Sequence, residues 1–417
     1  MKSPFQGKLW NHLDFLKFWV GDTVTQFTGQ ITDLALPTVA ILTLQATAFQ
    51  LGVINALSFI AFPTLGLFVG VWMDRVRRRR VMIVTNLIEV ATLATVPAAF
   101  LLGVLGLYQL YVVSLIMGTC TLFFDVGYQS YLPSLVNRED VVEGNRKLQT
   151  SSSAAQFAGP SVGSAMMQLF GAALSIAADA FGTLIAVLTL VWIRTPEPKP
   201  EHSSSDGERH FFTEMKEGIK VITGNKLLWT QAGCTGTNNL GTNIFGVAIL
   251  LYAYRTLGIS KGIIGIIFSM GALGFLVGAL ISSAVTERLG LGRTIALASA
   301  CGFALLIAPT ARGDFAVLII GAAYLIASLG NPLYNINQVS LRQVITPNRL
   351  QGRMNATMRT IVWGTIPVGS LLGGILSTGI GIMPTLIVGA LISGGSFLWI
   401  ALGPIFSLVK QPEPIRE

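Results

Sequence analysis

Asp22 and Asp33 stand out in the stretch FLKFWVGDTVTQFTGQITDLALPTVAIL, a run of membrane-spanning length. An ionisable side chain inside such a run costs about 2.5–3.5 kcal/mol on insertion scales, so it needs a cavity or a partner. At about 3.6 residues per turn, a spacing of eleven places both carboxylates on one helical face, with Gln26 and Gly29 between them. A carboxylate in a low-dielectric cavity can take up and release a proton near neutral pH. Asp33, with no basic residue near it in sequence, is the first candidate for such a proton carrier. Asp22 is the second, because Lys17 is available to pair with it.

Further polar residues recur at helical spacing inside apolar runs: Ser114, Thr121, Asp125 and Gln129; Thr235, Asn239 and Thr242, flanked by Asn238 and Asn243; and Asn331, Tyr334, Asn335 and Gln338. Any one of these can be a cavity wall or a hydrogen bond between neighbouring helices. As a set they favour a cavity, with Gln26, Asn239, Asn243, Tyr334, Asn335 and Gln338 as candidate substrate contacts.

These residues sit in a chain of 417 amino acids that is 52% hydrophobic and 12% charged. Soluble domains carry about 25% charged residues, so the composition demands many membrane spans. Twelve runs of suitable length follow one another. The first half holds Phe15–Leu42, Leu51–Met73, Val81–Leu102, Leu107–Leu132, Leu148–Leu169 and Ala172–Ile193. The second holds Leu228–Tyr254, Ile263–Val285, Thr294–Ala311, Phe315–Leu341, Met354–Ser377 and Met383–Val409. Of 28 Lys and Arg, all but Arg255, Lys261 and Arg312 fall on the side that holds both termini. By the positive-inside rule that side is cytoplasmic. The net charge of +8 therefore belongs to a membrane surface and not to nucleic acid. The N-terminus has no cleavable signal pattern, so the first span itself directs insertion.

Several chemistries find no support. Cys120, Cys234 and Cys301 lie far apart in apolar runs, with neither a disulfide framework nor metal-ligand spacing. His12, His202 and His210 lie outside the spans. There is no nucleophile elbow and no phosphate-binding Gly-Lys-Ser/Thr loop. We expect no enzyme, no cofactor and no metal, and any energy must come from a coupled gradient.

The chain repeats itself. LGVINALSFIAFPTLGLFVGVWMDR and IGIIFSMGALGFLVGALISSAVTER align with Gly52 on Gly265, Asp74 on Glu287 and Arg75 on Arg288. Asn145 and Asn355 end a second pair, and Pro160 and Pro367 follow. The expected organisation is a six-helix half over 1–194, a polar cytoplasmic linker over 195–227 with a short amphipathic helix near Phe211–Ile222, and a second six-helix half over 228–417. Such repeats belong to rocker-type secondary transporters, with a substrate path between halves.

The stretch GVWMDRVRRRR resembles the loop signature between spans 2 and 3 of the major facilitator superfamily, with Gly70, Asp74, Arg75 and Arg78 matching and Arg77 standing where the pattern often has glycine. Ala155-x-x-x-Gly159-Pro160-x-x-Gly163 resembles the span 5 motif of its proton-coupled exporters. ALP at Ala35–Pro37, FFDVGYQSYLPSLV and NPLYNINQVSLRQVITPNRLQGRMNATMR resemble the bacterial branch of macrolide, multidrug and siderophore exporters. The resemblance implies an all-α fold of two pseudo-symmetric halves in a bacterial inner membrane, working as a monomer on protons and a small-molecule substrate. It implies a cytoplasmic latch in which Asp74 meets the start of span 11 and Arg78 pairs with Asp125, leaving Arg77 and Arg79 as topology signals. It also places the polar stripes on cavity-lining helices, and Glu89 and Asp179 on peripheral helices as structural hydrogen-bonding groups. Export by alternating access leads; an uptake symporter and a non-transporting receptor or scaffold are the alternatives.

Overall fold

A computed structural model describes residues 8–73, 75–197 and 217–412. Among these the chain is helical, without strands. In chain order the helices are α1 (Leu13–Thr38), α2 (Ala48–Phe59), α3 (Ala61–Met73), α4 (Arg78–Leu101), α5 (Leu107–Leu135), α6 (Val141–Phe170) and α7 (Ala172–Trp192). After the linker come α8 (residues 217–224), α9 (Lys226–Leu251), α10 (Ile264–Leu289) and α11 (Leu291–Ala300), which a 3-10 segment Cys301–Thr310 extends. The last are α12 (Ala316–Val344), α13 (Asn348–Gly379), α14 (Ile382–Gly395) and α15 (Phe397–Ala401).

Among the described residues, nine helical segments are long and apolar enough to cross a membrane. Three further helices have the length but not the hydropathy: α1 with 26 residues, α6 with 30 and α9 with 26. The cause is their polar content, since α1 and α9 carry two of the stripes and α6 begins with Glu143, Arg146 and Lys147. A helix that turns polar groups into a protein interior loses the uniform hydropathy that marks a lipid-facing span.

The repeat extends to backbone detail. The α1 helix runs into a π turn at Val39–Thr43, and α9 into one at Tyr252–Thr256, 213 residues later. That is the offset between Gly52 and Gly265.

The described chain forms two compact units. Unit 1 holds α1 and α4–α7 together with Ser260–Ser269; unit 2 holds Ala46–Leu67, α8, α9 and the helices from Met270 onward. The unit borders differ from those of the sequence halves because α2 packs on α13 and the start of α10 packs on α6. Both crossings rest on glycine. A Cβ at Gly52 would lie 2.5 Å from the Ser370 carbonyl oxygen, and a Cβ at Gly265 would overlap the carbonyl oxygen of Pro160 and the Ser164 hydroxyl. Small residues of this kind let membrane helices approach backbone to backbone. Pro160 lies inside α6, where its ring removes one helical hydrogen bond. Gly159 and Gly163 face the other way, onto Gln30 and Ile31 of α1. The Gly-Pro motif thus seats two helices at once.

In unit 1 a core of Phe15, Phe18, Met82, Tyr131, Leu148 and Leu190 closes one end of the bundle. Unit 2 has its own core, with Leu228, Ile295, Leu341, Met354 and Ile400 buried together. The α8 helix docks there: Ile222 joins this core, Gly218 packs on Thr357, and Glu217 pairs with Arg353. The remainder of the expected Phe211–Ile222 helix lies outside the described residues.

Candidate functional site

Asp22 and Asp33 of α1 face a cavity of about 270 Å³ within unit 1. Asp22, Gln26 and Asp33 contribute from α1, Asn86 and Glu89 from α4, Asp125 from α5 and Asp179 from α7. Five carboxyl groups therefore line one space, and none of its lining residues is Lys or Arg. Phe124, Tyr128 and Met117 give it an apolar and aromatic side. Asp22 and Asp179 are buried, Glu89 and Asp125 half-buried, and Asp33 is open to the cavity. Both carboxylate oxygens of Asp22 are buried and accept no hydrogen bond among the described residues. Gln26 accepts a long hydrogen bond from the Ser152 hydroxyl of α6, at 3.4 Å. No group of three metal-ligating side chains occurs among the described residues.

The geometry comes from helix packing. Gly21 and Gly182 hold α1 against α7: a Cβ on Gly182 would meet the Thr28 side chain at 2.5 Å, and one on Gly21 would overlap the Thr189 hydroxyl. This close approach turns Asp179 toward α1. On α4, Asn86 and Glu89 are three residues apart and share a face. Glu89 and Asp179, expected to be structural groups on peripheral helices, both line the cavity. The signal that could have found them is that Asn86–Glu89 spacing, together with the restriction of every acid inside a span to the first half of the chain.

Lys17 is not the partner of Asp22. It bonds Asp14 at 2.6 Å and the Trp192 carbonyl at 2.8 Å. Asp14 also accepts from the backbone N–H groups of Arg194 and Thr195 and from the Thr195 hydroxyl, at 3.0, 2.8 and 2.7 Å. Burial works to raise the Asp14 carboxyl, but these donors together outweigh it and hold the group well below its usual range. The sign follows from linkage. A depressed carboxyl stabilises the fold above its unfolded value near 3.8, and that contribution is lost as pH falls further. We expect Asp14→Asn to cost about 1–3 kcal/mol at neutral pH. Thermal unfolding in detergent should show the gap from the wild type shrinking below about pH 4.

The arginine cluster has structural roles beyond topology. Arg79 was expected to be a topology signal alone, yet its Nε donates to the Leu190 carbonyl at 2.8 Å and a terminal nitrogen to Val191 at 2.7 Å. It thereby covers orphan carbonyls at the end of α7. Glu197, which drew no attention in the sequence, caps the start of α4 by accepting from the Arg78 and Arg79 backbone N–H groups at 2.7 and 3.2 Å. An acid at that position satisfies free N–H groups and complements the helix dipole. Gly70 lies in α3 with open space where a Cβ would be, and Arg75 is exposed just after it. Asp74 lies outside the described residues.

The other candidates belong to unit 2. There Asn239 donates to the Val362 carbonyl of α13 at 3.1 Å. Asn243 donates to Asn239 one turn earlier at 2.8 Å. The Tyr334 hydroxyl shares a 2.6 Å hydrogen bond with Thr235, joining α12 to α9. Gln338 is buried and Asn335 exposed. Three of these five candidates are thus engaged by hydrogen bonds within unit 2. Arg359 is twelve residues into α13, with its guanidinium over the Trp363 ring at 4.4 Å and the Phe62 ring at 5.4 Å. This cation–π pairing helps hold α13 against the segment that carries Phe62.

Comparisons with known proteins agree with this architecture. Residues 18–237, more than half of the chain, match the model of the Major Facilitator Superfamily. Macrolide efflux protein A of Streptococcus pyogenes is 25% identical over 377 residues, 89% of this chain and 91% of the relative. The enterobactin exporter EntS of Citrobacter koseri is 26% identical over 375 residues, covering 85% and 83%. Among solved structures, a nucleoside transporter NupG superposes with a TM-score of 0.74 at 15% identity, over 94% of this chain and all of that one. An inward-facing bacterial homologue of the iron transporter ferroportin gives 0.72 at 17% identity, over 95% of this chain and all of that one. The chain belongs to the major facilitator superfamily and is a multi-pass membrane transporter, not an enzyme.

Proposed function

We propose that this transporter exports small neutral or cationic amphipathic compounds in exchange for protons, by alternating access. The observation that carries the reading is the unit 1 cavity, with five carboxyl groups, aromatic and apolar walls and no base. Burying an unpartnered ionised carboxylate costs several kcal/mol. Five carboxyl groups around one small space also repel one another when ionised, and bound protons or a bound cation relieve that repulsion, which is the exchange an antiporter performs. The relatives named as a macrolide efflux protein and an enterobactin exporter support the outward direction. On this reading twelve spans cross the inner membrane of a bacterium with both termini in the cytoplasm, α1, α6 and α9 being the three polar spans. The substrate path runs between the sequence halves 1–194 and 228–417, past Gln26, Asn239, Asn243, Tyr334, Asn335 and Gln338. Gly70, Asp74, Arg75, Arg78 and Asp125 act in the cytoplasmic latch, and Gly159, Pro160 and Gly163 in the exporter motif.

The test uses inside-out vesicles with an acidified lumen. Macrolides, other drugs and siderophores are added singly while lumenal pH and compound uptake are followed. The expected result is compound-dependent proton release with accumulation of the compound inside. Accumulation without proton movement rules out proton coupling. Substrate-dependent proton flux in the opposite arrangement only, with right-side-out vesicles accumulating compound, identifies an uptake symporter.

A further inference from the structure

Unit 1 contains a second and larger cavity, of about 950 Å³, unrelated to the carboxylates. It lies between the end of α3, the loop after it, and the facing sides of α4 and α5. At one end stand Arg75, Arg77 and Arg80, and no Asp or Glu lines it. Among the described residues these three arginines form no ion pair. Their charges are thus not spent within the described fold, unlike that of Arg79.

Away from the arginines the walls turn apolar: Val81, Val84 and Ile88 on α4, Leu115, Ile116 and Phe123 on α5. Val84, Ile88 and Leu115 remain 54%, 46% and 42% exposed, so the groove opens sideways from the bundle. The hydroxyls of Thr85 and Thr119 in the wall bond carbonyls of their own helices, leaving no polar demand on an occupant. From Arg80 to Ile88 is eight residues, about 12 Å along a helix. That approaches the ~15 Å thickness of one hydrocarbon leaflet. The basic end lies on the positively charged, cytoplasmic side of the chain.

We propose that this groove binds one anionic phospholipid of the cytoplasmic leaflet, its phosphate held by Arg77 and Arg80 and an acyl chain laid along α4 and α5. Charge complementarity selects the occupant. Basic pockets at the cytoplasmic ends of membrane helices recognise anionic headgroups, and the groove's depth and sideways opening match a chain entering from the bilayer. A soluble phosphate would leave the apolar wall uncovered, and an uncharged lipid would leave the arginines unanswered.

Trp72 lines the groove and supplies the probe. The full-length protein is reconstituted with brominated phosphatidylglycerol or brominated phosphatidylcholine, and the Trp72 contribution is isolated by difference against Trp72→Phe. Quenching is expected at about tenfold lower mole fraction of the anionic lipid. The preference should vanish in the double variant R77Q/R80Q, and also in V84F, which narrows the groove without altering charge. Equal quenching by both lipids overturns the proposal. So does a preference that survives either variant, because general surface attraction would then explain it. Relief of quenching by a macrolide also overturns it, by making the groove a substrate vestibule. The readout is independent of coupling ion and transport direction, so failure of the exporter reading would leave it standing.

Discussion

Replacing Asp22 or Asp33 with asparagine is expected to abolish proton-driven accumulation while leaving a folded protein that still binds compound. The two acids share a face of α1 and one cavity with Glu89, Asp125 and Asp179. Asparagine keeps the shape but cannot carry a proton. Loss of a positioned proton-transfer group typically reduces rates by about 100-fold or more, and that is the loss expected in the vesicle assay. Asp22→Asn carries a second signature. Its buried carboxylate oxygens accept no hydrogen bond among the described residues, so removing the ionisable group should leave thermal stability unchanged or raise it. A stable variant without coupled transport separates a functional acid from a structural one. Full proton-driven transport in both variants would remove the pair from the mechanism and move attention to Glu89 and Asp179. Asp125→Asn is the internal comparison, since it faces the same cavity from α5.

The second large effect is expected from Gly265→Val. The added side chain would run into the carbonyl oxygen of Pro160, a backbone atom that cannot step aside. Overpacking of this kind costs about 1–3 kcal/mol, enough to shift a two-state equilibrium by about 5- to 150-fold. The affected crossing can be read directly. The hydroxyls of Ser161 and Ser269 lie 2.8 Å apart across it, so cysteines at these positions stand within disulfide reach. In a background with the three native cysteines replaced, the pair should cross-link readily with Gly265 and at least about tenfold more slowly with valine, by the free-energy shift above. Transport should fall with it. Gly52→Val, at the repeat-related crossing against Ser370 and Gly374, should behave alike. Unaltered cross-linking in Gly265→Val would mean that the crossing tolerates volume and that the glycine is not a packing requirement.

Sequence alone determined those properties that depend on composition and periodicity. The low charge content forced a membrane protein, and the matched Gly52 and Gly265 marked a duplication that recurs in the two π turns, while the Lys and Arg distribution gave the loops an expected side. The eleven-residue spacing of Asp22 and Asp33 placed them on one face because a single helix determines its own phase. Tertiary structure decided what depends on which helices meet. Glu89 and Asp179 lie on separate helices, and only the close packing of α7 against both α1 and α4 turns them into one cavity with the α1 acids. The pairing of Lys17 with Asp14 instead of Asp22, and the caps made by Arg79 and Glu197 more than a hundred residues away from their partners, arise in the same way. Helix phase is written locally in the chain, whereas the neighbour a helical face meets is set by the packing of many side chains at once.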